Sequence, residues 1–296
     1  MISIIIPFHN EAESLPTLIN QLIKVGNNLK DSWEIVLVDD GSIDSPKFKV
    51  QSSKLIKIIS HRKRLGKGQA LKTGIENSSG EIIVFMDADL QDDPKDLLRF
   101  LKKIKQGFDF VNGLRKKRGD SFIIKIYSFL AAKFLKIFLH PPFHDINCGF
   151  KAFRRQVLKD FVFYGNNFRF FPLAVYYQGF KVAEIPVANH PRKYGQSKFG
   201  STKLFIGTID ILTAYFLYRF SEKPLHFFGL IGGGLFLIGF LINFYLTLER
   251  LFFNVLLYRR PILFLGILLI IVGIQVVMTG VIGELVVYLN KKNNKS

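Results

Sequence analysis

The chain has little cysteine, little tryptophan and little negative charge. Cys148 stands alone among 296 residues. No intramolecular disulfide can form, so the fold needs no oxidising compartment and a cytoplasmic domain is expected. No paired Cys or His spacing surrounds that thiol, so it is expected to be a packed small residue rather than a nucleophile. Asp and Glu total 23 against 41 Lys and Arg, a formal charge of +18. Such a balance calls for anionic partners: nucleic acid, an anionic membrane or a phosphorylated substrate. Nucleic acid is disfavoured, because zinc-ligand spacing, an RNP-like aromatic motif and a recognition-helix signature are all missing. The opening MISIIIPFHN lacks a basic n-region and its apolar run breaks at Pro7. It reads as a first strand, not a signal peptide.

Charge is missing altogether from two stretches. His226 to Leu248 and Ile262 to Gly283 contain no Asp, Glu, Lys or Arg, and each exceeds the ~20 residues that cross a bilayer core. Two transmembrane helices are expected, at about 226–248 and 262–288, within a membrane segment spanning 225–290. Gly266, Gly273 and Gly280 recur every seven residues in the second, and Gly229 and Gly233 lie four apart in the first. Small residues on one stripe let helices approach closely, within the chain or in a homo-oligomer. Lys203, Arg219 and Lys223 precede the spans, and Lys291, Lys292 and Lys295 follow them; the connecting loop carries Arg250, Arg259 and Arg260. The excess on the outer flanks places both termini, including a basic tail at 291–296, in the cytoplasm. Residues 122–139 and the juxtamembrane stretch 201–224 are apolar but interrupted by cations, as in amphipathic helices lying at a membrane surface.

The first two hundred residues alternate β-rich runs with helix-compatible segments. Ile2 to Ile6, Glu34 to Val38, Ile56 to Ile59 and Ile82 to Met86 read as strands. Leu15, Leu18, Ile19 and Leu22 recur at helical spacing between the first two, and Gly26 is placed to end that helix. This β-α-β pattern predicts an α/β fold with a mostly parallel sheet buried on both faces. The run Glu81 to Pro94, EIIVFMDADLQDDP, ends a buried strand in Asp87 and Asp89. At the carboxyl edge of such a sheet, an Asp-x-Asp can hold a divalent cation against a nucleotide diphosphate; alone, it is equally a solvated acidic turn. Cations cluster at Arg62, Lys63, Arg64 and Lys67, at Arg115 to Arg118, and at Arg192, Lys193 and Lys198. These are candidates to neutralise phosphates.

Six segments occur in a telling order: IIIPFHNE (4–11), IVLVDDGSID (35–44), LGKGQALKTGI (65–75), IVFMDADLQDDP (83–94), DINCGFKAFRR (145–155) and RKYGQSKFG (192–200). Together they resemble the family 2 glycosyltransferases with the GT-A fold. More narrowly, the chain is similar to membrane-anchored polyprenyl-phosphate glycosyltransferases, the group of dolichol-phosphate mannose synthases and bacterial undecaprenyl-phosphate sugar transferases. The resemblance implies a Rossmann-like GT-A catalytic domain over 1–200. It implies a nucleotide-sugar donor, UDP- or GDP-linked, and a polyprenyl-phosphate acceptor drawn from the cytoplasmic face of the inner membrane. Pro7, Asn10, Glu11 and Asp39 are expected around the base and ribose, and Lys67 with Gly68 at the phosphates. Asp87 and Asp89, with Gln91 as a third oxygen ligand, are expected to hold Mg²⁺ or Mn²⁺. Arg115, Arg118, Lys151, Arg192, Ser197 and Lys198 would neutralise and position the acceptor phosphate. Asp145 would either orient the acceptor or assist as a base. Processive family members usually carry a Gln-x-x-Arg-Trp motif after the aspartates; the single tryptophan, Trp33, lies far upstream. The rivals are a membrane-anchored binding or scaffold protein without activity, and a family 2 transferase with another membrane acceptor.

Overall fold

The structure, a computed structural model, describes residues 1–44, 55–115, 142–159, 161, 163, 165–191, 201–253, 256 and 260–293, with side chains from 207 onward in the stretch that begins at 201. The chain divides into two compact units, Met1–Ala214 and Tyr215–Ser296.

The first unit is built on a seven-stranded sheet. Its strands are β1 (Ile2–Phe8), β2 (Trp33–Asp39), β3 (Ile56–Ser60), β4 (Ile82–Phe85), β5 (Phe110–Arg115), β6 (Lys151–Arg154) and β7 (Val182–Val187), in the order β3-β2-β1-β4-β6-β5-β7. β1 to β4 are parallel, and β5 pairs in parallel with β7. β6 runs antiparallel to both of its neighbours, so the sheet is mixed. Near-continuous Ile/Val strands bury both faces because successive side chains point to opposite sides. Ile4, Ile6, Leu37 and Val84 pack on one side under α1 (Leu15–Gly26) and α3 (Leu97–Lys105). Ile5, Val38, Ile83 and Phe85 pack on the other under α2 (Lys67–Glu76) and α4 (Phe171–Tyr177). Phe85, Phe110, Phe153 and Phe171 form a ring cluster there, with Phe85 and Phe171 edge-on to Phe153 at 4.9 and 5.0 Å between centroids. Such edge contacts add about 0.5–1.5 kcal/mol per pair beyond burial.

Gly26 plays a different part from the expected helix stop. It is the last residue of α1, and a Cβ there would lie 2.3 Å from the Trp33 ring. The glycine admits the indole; the cap is Asn27, in helical conformation. The chain leaves β1 towards β2 on one side and returns as β4 on the other. A crevice forms at the carboxyl ends of strands where the order reverses in this way, and there the ligand is expected.

The helix α5 (Ser201–Phe220) carries the boundary between the two units, after Ala214. Two long helices follow, α6 (Pro224–Phe253) and α7 (Pro261–Asn293). At 1.5 Å per residue they extend about 45 and 50 Å, more than the ~30 Å of a bilayer hydrocarbon core. Both run past the expected spans, and α7 carries Lys291 and Lys292 of the expected tail within the helix. Their surfaces are dominated by exposed Leu, Ile and Phe, which suits lipid as the surrounding medium, and the protein is a membrane protein.

The glycine stripe is real on α7 and differently placed on α6. A Cβ at Gly273 would lie 2.7 Å from the Gly232 carbonyl, and one at Gly239 would lie 2.5 Å from the Gly266 carbonyl. Gly280 faces Phe228 and Leu225. The α6 partners are thus Gly232 and Gly239, seven apart; Gly233 meets no neighbour and Gly229 only Leu225 of its own helix. Polar contacts close both ends of the pair. Glu284 accepts a hydrogen bond from the Leu225 amide (3.2 Å) at the start of α6, and Arg260 pairs with Glu249 across the connecting loop. Gly273→Leu should force the helices apart, whereas Gly233→Leu should be tolerated. Crosslinking between cysteines introduced at Phe236 and Ile270 would report this, and equal behaviour of the two variants would contradict the seam.

Candidate active site

The site is assembled from the loops that leave β1, β2, β3 and β4. Asp40, just past β2, is buried and organises the approach to α2. Its carboxylate accepts hydrogen bonds from the Leu65 and Gly66 amides at 2.7 and 2.9 Å, and lies 3.1 Å from His61 Nδ1. Burial works against that charge, but these donors outweigh it and hold the carboxyl below its usual range. Gly66 has φ 96°, open to glycine without strain, and turns the chain so that Lys67 opens α2. The expected role of Gly68 at a phosphate acquires another cause: its Cβ would lie 2.5 Å from the Gly165 carbonyl, so the segment 165–170 seats directly on this turn.

Lys67 pairs with Asp87, the first acidic residue beyond β4. Burial disfavours charge on Asp87, yet the Lys67 ammonium, with Lys151 and Arg115 behind it, keeps its carboxyl below the usual range. Backbone approaches closely here, since a Cβ on Gly149 would sit 2.4 Å from Asp87 Oδ2. Three residues on from Asp87, the chain bends sharply. Leu90 has φ 61°, a left-handed conformation that costs roughly 1–2 kcal/mol outside glycine and is held by burial of its side chain. The bend leaves Asp89 part-exposed, with Oδ1 accepting from the Gln91 amide at 3.2 Å. The Gln91 side chain aims its amide nitrogen at the His190 carbonyl, 3.5 Å away. Asp92 is buried alongside, its pKa pushed up to about 7 by burial and then by the charges of Asp87 and Asp89.

Lys151, at the start of β6, is buried and donates to the Cys148 and Ile146 carbonyls. Burial pulls its pKa down to about 8. Cys148 is fully buried and its thiol is pushed up to about 12, chiefly by burial. It is a packed residue, as expected. Asp145 is engaged by Arg115 at the end of β5: Nε to Oδ2 at 2.7 Å and Nη2 to Oδ1 at 3.1 Å. A two-pronged contact of this kind orients a guanidinium. Burial would lower the Arg115 pKa, but the Asp145 contact outweighs it and raises it further.

Two residues that carry this arrangement were not expected from the sequence. Glu184 on β7 accepts from the His144 and Asp145 amides, both at 3.0 Å, and Asn112 on β5 donates to the Asp145 carbonyl at 2.8 Å. Lys151, Asn112 and Glu184 stand opposite one another across β6, β5 and β7. This polar row is the floor on which residues 144–148 rest. The one sequence signal was a carboxylate inside the otherwise apolar VAEIPV.

Pro7, Lys67, Asp87 and Lys151 line one pocket, with Phe168 and Arg169 on its wall. Asn10, at φ 58°, instead ties the two first loops together, while Asp39 closes a turn within its own loop. Asn10 accepts from the Ile43 amide (2.9 Å) and Asp39 from the Ser42 amide (2.8 Å), while Glu11 accepts from the Ser14 hydroxyl (3.0 Å). Arg118, Arg192, Ser197 and Lys198, and the segment 122–139, lie outside the described residues.

The mixed sheet with acidic residues at the end of β4, a lysine delivered by the start of α2 and a pocket at the strand-order reversal define a GT-A glycosyltransferase domain. The chain belongs to glycosyl transferase family 2, whose model matches residues 3–162. It is 30% identical over 294 residues to dodecaprenyl-phosphate galacturonate synthase of Rhizobium johnstonii, covering 96% of this chain and 87% of that protein. It is 31% identical over 290 residues to undecaprenyl-phosphate 4-deoxy-4-formamido-L-arabinose transferase of Shewanella sediminis, covering 96% and 86%. The fold is shared with glucosyl-3-phosphoglycerate synthase of Mycobacterium tuberculosis, solved with Mn²⁺ and UDP-glucose. That likeness has a TM-score of 0.58 at 19% identity and covers 74% of this chain and 78% of the other.

Proposed function

We propose that this glycosyltransferase moves a sugar, with inversion, from a nucleotide sugar to a polyprenyl phosphate at the cytoplasmic face of the inner membrane. The reading rests above all on the two polyprenyl-phosphate sugar transferases that match 96% of the chain, its apolar helix pair included. An acceptor phosphate oxygen attacks the anomeric carbon, the bond from that carbon to the diphosphate breaks, and the nucleoside diphosphate leaves with the electron pair. A phosphate monoester is largely ionised near neutral pH, so the attack needs positioning and charge neutralisation more than a strong base. Asp145, with both oxygens on Arg115, suits orientation of that cation better than proton abstraction.

The donor set fits a hard divalent cation, Mg²⁺ or Mn²⁺. Asp87 is held ionised and Asp89 is part-exposed beside it; Asp92 is shifted up first by burial and then by the charges of Asp87 and Asp89, a crowding of negative charge that a cation relieves. Asp87 and Asp89 would hold it, with Gln91 as a further oxygen donor once its amide leaves His190. When bound, such an ion supplies charge stabilisation to the departing diphosphate. Lys67 and Lys151 add fixed positive charge on the same side of the pocket.

The test is incubation of the purified full chain with Mg²⁺ or Mn²⁺, undecaprenyl phosphate and a panel of labelled nucleotide sugars. Label should enter the lipid phase with at least one donor; none with any donor sinks the reading. A pH dependence accompanies it. Lys151 loses its charge as pH rises through about 8, so kcat/KM should fall there. Stability should move the other way. Between that value and the ~10.4 of an unfolded lysine, the unfolded chain binds more protons, so the thermal midpoint rises with pH. A flat rate profile between pH 7 and 9 would remove Lys151 from the phosphate site.

A further inference from the structure

We propose that Arg169 binds the phosphate of the lipid acceptor, and that Asp210 on α5 is the positioning residue that holds its guanidinium for the purpose. The inference rests on the polyprenyl-phosphate reading and assigns part of that acceptor site. Three cations line the pocket among the described residues: Lys67, Lys151 and Arg169. Lys67 is committed to Asp87, and Lys151 is buried against the Cys148 and Ile146 carbonyls. Arg169 is part-exposed on the wall, and its acidic partner Asp210 stands at 3.9 Å. At that distance Asp210 attracts and aims the guanidinium without occupying its N–H fork, which leaves the fork able to take a phosphate.

The placement of Arg169 is determined from both sides. The segment that carries it is seated on the α2 turn, where the Gly165 carbonyl fills the space a side chain on residue 68 would need. The Phe168 ring has Lys67 Nζ 5.5 Å from its centroid and Arg169 Cζ 6.0 Å from it, so one aromatic surface orients a cation of each kind. On the far side Asp210 receives both Arg169 and, at 3.3 Å, the Asn166 side-chain amide. In the sequence, α5 is the helix that precedes the apolar pair. Lys67, bound to the metal-site carboxylate, serves the donor diphosphate; Arg169 is left for the second phosphate that the reaction must bring in.

The experiment uses the full chain in detergent micelles, with three probes measured by equilibrium binding: undecaprenyl phosphate, undecaprenol, and UDP or GDP with Mn²⁺. Arg169→Ala should weaken undecaprenyl phosphate at least about tenfold, the range expected for a hydrogen bond to a charged group. Undecaprenol and nucleoside diphosphate binding should stay at wild-type levels. Arg169→Lys should restore part of the loss, which a folding defect would not permit. Asp210→Asn should raise the acceptor KM with little change in kcat or thermal midpoint. Unchanged phosphate binding by Arg169→Ala overturns the assignment, as does an equal loss for the nucleotide, which would put Arg169 on the donor. A wild-type chain that fails to distinguish undecaprenyl phosphate from undecaprenol also overturns it. If wild-type binds the lipid phosphate through Arg169 yet transfers no sugar, the transferase reading falls and the assignment stands.

Discussion

Asp89→Asn should lower sugar transfer roughly a thousandfold while the thermal midpoint stays within a degree or two of wild type, as expected when several kcal/mol of charge stabilisation are lost at a part-exposed position. The asparagine carbonyl can still accept the Gln91 amide, so the bend after β4 keeps its hydrogen bond and only the negative charge is lost. Direct titration with Mn²⁺ separates this from indirect damage, because metal affinity should fall along with the rate. Asp87→Asn should be as inactive but less stable, since it also leaves the Lys67 ammonium without its partner. Near wild-type transfer by Asp89→Asn would show that the acidic turn holds no essential cation.

Asp145→Ala should give the largest loss of stability among the site variants. The Asp145 carboxylate is 3% exposed and the Arg115 side chain 24%. Breaking a buried pair from one side costs about 3–5 kcal/mol, and the partial exposure of Arg115 puts the expected loss near the lower end. Transfer should fall strongly as well, because Arg115 loses the contact that aims it. The double variant Arg115→Met/Asp145→Ala discriminates between roles. It should recover much of the stability, since no buried charge is left alone, but none of the activity. A single Asp145→Ala variant that is as stable as wild type would contradict the buried pair, and an active double variant would remove both residues from the reaction.

The parts of the fold legible from sequence were those with a local cause. Ile2 to Ile6 and Ile82 to Met86 read as strands because runs of β-branched residues bury both faces, and the structure places β1 and β4 there. The helix pair was legible from missing charge, a property of composition alone. Which glycines face the neighbouring helix was legible on α7, where the stripe repeats every seven residues. On α6 it was obscured, because Gly229, Gly232, Gly233, Gly234 and Gly239 offer several spacings and only the partner helix selects Gly232 and Gly239.

At the site, the sequence by itself determined where carboxylates and cations emerge: Asp87 and Asp89 follow a buried strand, and Lys67 follows a glycine at a helix start. These are consequences of neighbouring residues along the chain. Tertiary structure alone decided what each group faces. Asn10 turns to the loop that follows β2, Asp145 is taken by Arg115, and Glu184, far away in sequence, carries the backbone of the loop that holds Asp145. Gly68 and Gly26 are glycines for the sake of Gly165 and Trp33, contacts that no spacing pattern contains. Hydrogen bonds and close packing depend on distance in space, and a strand order in which β5 lies between β6 and β7 brings residues 112, 151 and 184 into one row.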